Sequence, residues 1–121
     1  MQKLGKREEQ IMQIVWKLEK AFIKDIIDEM PEPKPHYNTV ATMVKILTEK
    51  GFLSAAKLGN TYQYTPQVEL AAYRQEDVAT IKRKYFGNSF SRMITHFAKE
   101  ENLSDEELDE LVRIIKSQKN S

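Results

Sequence analysis

The chain has 121 residues, 40% hydrophobic and 31% charged, enough for one small globular domain with a helical appendage. It has no cysteine, which excludes a disulfide framework, a thiolate metal site and a cysteine nucleophile, and its longest apolar runs are too short to span a bilayer. A formal net charge of +1 is not the footprint of a strongly basic nucleic-acid binder, with 10 Lys and Arg against 8 Asp and Glu through Pro66 and 9 against 10 thereafter, and charge alone decides nothing.

The polar start Met1-Gln2-Lys3 has neither the apolar stretch nor the small-residue cleavage site of a signal peptide. The expectation is a cytoplasmic protein with no direct membrane insertion. A first helix is predicted from Lys6 to Leu18, where Ile11, Ile14, Val15 and Leu18 recur at helical spacing and Trp16 sits at the stripe's edge. A short second helix fits Phe22 to Met30. Pro31, Pro33 and Pro35 end it, because proline lacks an amide donor and restricts the residue before it.

The third helix, Asn38 to Lys50, carries one apolar stripe of Val40, Met43, Val44 and Leu47. Its opposite face holds Asn38, Thr42, Lys45 and Glu49, with Thr39 beside them, and Gly51 suits a C-terminal stop. Beyond Gly51 the period shortens. Phe52 to Lys57 and Thr61 to Thr65 read as strands joined by Leu58-Gly59-Asn60, with Tyr62 and Tyr64 on one face.

Helices are predicted again from Val68 to Tyr85, with a break at Gly87-Asn88, and from Phe90 to Lys99. A last helix is introduced by the capping box Ser104…Glu107 and the staple pair Leu103 and Leu108. The fold class is therefore mostly α with a small β-hairpin: a winged helix-turn-helix domain (residues 1–66) followed by a C-terminal helical dimerisation region (residues 67–121).

In that arrangement the outward face of the third helix meets base edges in the major groove. Asn38, Thr39 and Thr42 suit base contacts, Lys45 a phosphate, and Lys57 and Asn60 of the wing the DNA backbone. A solvated polar helix face has the same composition, and winged helices also serve as protein-interaction adaptors that bind no DNA, so both readings stand at this level. The C-terminal helices carry Tyr85, Phe86, Phe90, Met93, Ile94, Phe97, Leu108, Leu111, Val112 and Ile115. They could complete a core within one chain, but about 55 residues make an awkward independent domain, and pairing with a second copy would bury them and supply the two-fold geometry of a palindromic site.

An enzyme finds nothing to rest on. His36 and His96 lack metal-ligand spacing, there is no glycine-rich phosphate loop or nucleophile elbow, and no cofactor or metal is expected. The carboxylates of Asp105, Glu106, Glu107, Asp109 and Glu110 suit the positive end of a helix dipole.

Taken in order, Ile14-Val15-Trp16-Lys17, Asn38-Thr39-Val40 through Leu47, Lys50-Gly51-Phe52-Leu53, Tyr64-Thr65-Pro66, Ser91-Arg92-Met93-Ile94, His96-Phe97 and Leu103-Ser104 resemble the penicillinase repressor family (BlaI, MecI and CopY). The resemblance implies a homodimer on a near-palindromic operator, silencing genes of β-lactam resistance or related stress functions. It places Asn38 and Thr39 at the family's base-contacting pair, with asparagine where the family usually has lysine. It also implies inactivation by proteolysis, triggered by a membrane sensor protease. The bond matching the family's Asn-Phe cleavage site is His96-Phe97. The cysteine-rich terminus of the copper-responsive branch is missing, so copper sensing is not expected.

Overall fold

The computed structural model describes residues 2–119. Six helices and one two-stranded antiparallel sheet are present among them, in the order α1 (Lys6–Leu18), α2 (Ile23–Asp28), α3 (Tyr37–Glu49), β1 (Leu53–Leu58), β2 (Thr61–Pro66), α4 (Leu70–Tyr85), α5 (Phe90–Glu100) and α6 (Asp105–Lys119). Three helices followed by a hairpin are the winged helix-turn-helix expected from the sequence. Contacts divide the chain into two compact units, Met1–Glu76 and Asp77–Ser121.

The first unit is built on the predicted stripes. Ile11, Ile14 and Val15 of α1, Ile26 of α2 and Val40, Val44 and Leu47 of α3 bury together with Phe52 and Leu53 at the head of β1. Each such side chain contributes about 1.5–3 kcal/mol on leaving water. Ala21 adds a third edge to the hairpin: its N–H donates to Tyr64 O at 3.0 Å and its C=O accepts from Tyr64 N at 2.8 Å.

The division falls after Glu76, later than the boundary expected after Pro66, because the start of α4 is held by the first core. The Tyr73 ring lies 5.3 Å from Trp16 and 6.0 Å from Phe52, centroid to centroid, and its hydroxyl donates to Glu9 Oε2 at 2.8 Å. Trp16 Nε1 donates to Val68 O at 2.9 Å. All but the Phe52–Tyr73 contact join residues more than 50 positions apart, and none leaves a periodic trace in the sequence.

Local chemistry sets the ends of the elements. The predicted second helix is shorter than expected, Ile23 to Asp28. The Lys34 ammonium donates to Ile27 O, Asp28 O and Met30 O, supplying at the helix end the donors that Pro31, Pro33 and Pro35 lack. At the end of α3, Gly51 adopts φ +84°, Gly51 N donates to Thr48 O and Phe52 N to Leu47 O. This is a Schellman closure, with Phe52 and Leu47 both buried as its apolar pair. The hairpin turn is tighter than expected, since Leu58 is inside β1 and pairs with Thr61. Only Gly59 of the turn takes positive φ (+63°), as the type II′ family requires of its first central residue.

In the second unit, Ser89 Oγ accepts from Arg92 N at the start of α5. Ser104 Oγ accepts from Glu107 N at 3.1 Å while Glu107 Oε1 faces Ser104 N, the capping box expected at the start of α6. Phe86, His96 and Phe97 form a small aromatic group, with Phe86 5.4 Å from His96 and 5.8 Å from Phe97.

Candidate nucleic-acid interface

The rotation of α3 is fixed by Val40, Val44 and Leu47, each at most 1% exposed, so the opposite face is set in water. Asn38, Thr39, Thr42 and Lys45 all lie exposed there, with Glu49 at the far end. Thr42 Oγ1 donates to Asn38 O at 2.9 Å, which occupies its proton and leaves its oxygen as an acceptor. No side chain caps the first turn of α3, whose N-cap is His36. The polar face therefore begins at a helix N-terminus of positive electrostatic character.

The hairpin carries the other two predicted contacts. Lys57 is exposed on β1 and faces Tyr62 across the sheet, and Asn60 is exposed in the turn. Neither Lys45 nor Lys57 makes an ion pair among the described residues. Three other lysines of the first unit are committed elsewhere. Lys17 pairs with Glu29 and Lys34 closes α2, while Lys50 donates to Glu8 Oε2 at 2.9 Å. The hydrogen bond from Lys50, helped by the Gly5 N–H, holds the Glu8 carboxyl below its ordinary value against the opposing effect of burial.

Residue-by-residue reasoning from the sequence missed Tyr37, which is exposed at the start of α3, whereas Ile46, expected at the flank of the polar face, is exposed there. The position of Tyr37 directly before Asn38 was the available signal. Tyr64, half-buried on β2, has its phenol pushed up, first by burial and then by the phenols of Tyr37 and Tyr62. The three rings are therefore electrostatic neighbours.

In the second unit Tyr85, Phe90, Ile94, Phe97, Leu111, Val112 and Ile115 are exposed, as are Val78 and Ile114, which the sequence did not single out. Phe86 and Leu108 are half-buried. Met93 differs from the other expected pairing residues: at 4% exposure it is already buried within one chain and has little surface left to offer a second copy. His96 and Phe97 are both exposed, within α5.

Comparison with known proteins places these features in context. The sequence profile of one family, described as penicillinase repressor, matches residues 4–117. A penicillinase repressor of Bacillus licheniformis is 26% identical over 114 residues, covering 93% of this chain and 89% of that protein. The methicillin resistance regulatory protein MecI of Staphylococcus aureus strain N315 is 26% identical over 113 residues, covering 93% and 92%. Among solved structures, the chain is similar to the solution structure of the Bacillus licheniformis BlaI monomeric form in complex with the blaP half-operator. The TM-score is 0.50 and the identity 26%, covering 60% of this chain and 89% of that one.

Proposed function

The chain belongs to the penicillinase repressor family, and from that premise we propose that it is a cytoplasmic homodimer that represses transcription by holding a near-palindromic operator with two copies of α3 and its wing. One observation carries the reading: an exposed polar helix face and an exposed hairpin turn are fixed by a single core, in a chain similar to one described on a half-operator. In this reading Asn38 and Thr39 contact bases at the start of α3, and Thr42 accepts from a base through its remaining lone pairs. Lys45 reaches a phosphate, and Lys57 and Asn60 hold the backbone from the wing.

The exposed residues of α5 and α6, with Tyr85, are the surface assigned to a second copy, which would place two reading helices at half-sites one helical turn or a multiple apart. The genes controlled are those of β-lactam resistance or a related stress response. Induction would follow cleavage at His96-Phe97 under a membrane sensor protease. That cut would separate α6 from the rest of the chain and remove the bivalency that strengthens operator binding. An intact chain in induced cells whose target genes are switched on would rule the cleavage out.

The deciding experiment titrates the protein against a labelled duplex from upstream of its own gene and an unrelated duplex, at two salt concentrations, with the mass in solution measured in parallel. Tight binding to the first alone, weakening as salt rises, is the expected result. Equal weak binding to both would place the operator elsewhere. A folded dimer that binds neither would refute the reading and leave a winged-helix module for another protein.

A further inference from the structure

The DNA-binding reading has an electrostatic difficulty, and the structure suggests how the molecule meets it. Only Lys45 of the α3 face and Lys57 of the wing are uncommitted cations among the assigned contact residues, and Glu49 shares the α3 face. Two lysines against a polyanion are few. The start of α3 and the wing, however, also expose two phenols. Tyr37, the first residue of α3, is 54% exposed, and Tyr62, across from Lys57 on β2, is 47% exposed.

Neither phenol makes a hydrogen bond to another described residue. Tyr37 immediately precedes Asn38 in the chain, and Tyr62 pairs with Lys57 across the hairpin. Tyr64, two residues beyond Tyr62 on β2, faces the same side of the hairpin. Its backbone is held by the two-way pairing with Ala21.

Resting on the DNA-binding reading, we infer that the hydroxyls of Tyr37 and Tyr62 donate hydrogen bonds to backbone phosphates, forming an uncharged part of the grip that flanks Asn38 and Lys57. A phenol is a good donor to a phosphate oxygen and remains neutral at physiological pH. It displaces no condensed counterion, so it strengthens binding without steepening the dependence on salt. A protein with a net charge of only +1 can in this way hold a duplex through contacts that salt does not screen as it screens lysine.

The test uses the full chain with Tyr37→Phe, Tyr62→Phe and the double variant, against the duplex from upstream of its own gene and the unrelated duplex. Each substitution removes one oxygen from an exposed ring, so melting curves should match the wild type's. Each single variant is expected to bind both duplexes about tenfold more weakly, the size of one hydrogen bond to a charged acceptor. The slope of log affinity against log salt should not change, whereas Lys45→Ala should lower it by about 0.9.

Variants that keep full affinity where the wild type binds would overturn the inference and leave the DNA reading intact. Loss on the first duplex alone would mean the phenols read bases, which also overturns it. A wild type that binds neither duplex at low salt would overturn both.

Discussion

Replacing Gly51 by alanine separates backbone strain from steric clash. Gly51 has φ +84°, and a Cβ built there meets nothing within 4 Å. Alanine therefore introduces no collision, and what remains is the cost of holding an L-residue in the left-handed region, about 1–2 kcal/mol. Alanine also narrows the unfolded ensemble, which returns about 0.4–1 kcal/mol. The net loss expected is about 1 kcal/mol, and less for Gly51→Asn because asparagine tolerates this region. Urea unfolding followed through Trp16, the chain's single tryptophan and part of the first core, reads that unit selectively. With a slope near 2 kcal/mol per molar, the midpoint should fall by about 0.5 M. An unchanged midpoint would refute the account of the α3 stop. A loss above about 3 kcal/mol would show that the space around Gly51 is not open.

Four further outcomes are expected. Trp16→Phe deprives the Val68 carbonyl of its donor and should cost the first unit about 1–2 kcal/mol by circular dichroism, and an unaltered transition would contradict it. Glu8 has a lowered pKa, so its stabilisation is complete above the ordinary value of 4.5 and is lost as pH falls through the lower folded value. The stability difference between wild type and Glu8→Gln should accordingly shrink on acidification below that point, and a difference that grew would reverse the assignment. Lys45→Ala and Lys57→Ala should each weaken binding to both duplexes and lower the salt slope by about 0.9, whereas Lys34→Ala should leave the slope unchanged. Ser104→Ala should cost α6 about 1 kcal/mol, read as faster amide exchange at Glu107.

Much of the first unit was legible because its signals are local. Val40, Val44 and Leu47 repeat at helical spacing, Gly51 follows the last of them, and Gly59 sits between two short strands, so α3 and the hairpin could be read from neighbours alone. The helix after Ala21 was overextended because nothing local reveals that Lys34 folds back to close it at Asp28. The boundary after Pro66 was placed where the hairpin gives way to helical periodicity, while the structure extends the first unit through Tyr73, whose partners Glu9, Trp16 and Phe52 are distant in sequence. Met93 shows the same limit at the candidate pairing surface. Periodicity places an apolar residue on a face, and packing decides whether its own chain has already covered it. Within the candidate DNA surface the six polar residues follow from spacing, but the exposure of Tyr37 at the start of α3 depends on packing that spacing does not reveal.

Phe52 joins α3 to the hairpin, and its backbone is engaged on both sides. Its N–H closes α3 through Leu47 O, and its carbonyl accepts from Gln67 N at 2.8 Å and Val68 N at 3.3 Å. The base of the wing is thus tied to the end of the reading helix and to the strand that returns from it. Those bonds brace the base of the wing against the end of α3. In the proposed complex, a helix and wing braced in this way would leave much of the adjustment to the nucleic acid, whose groove width and bending depend on base steps that no side chain touches. Base pairs between the positions reached by helix and wing should accordingly affect affinity through their stiffness, with flexible pyrimidine–purine steps and rigid A-tracts giving different binding despite identical contacts.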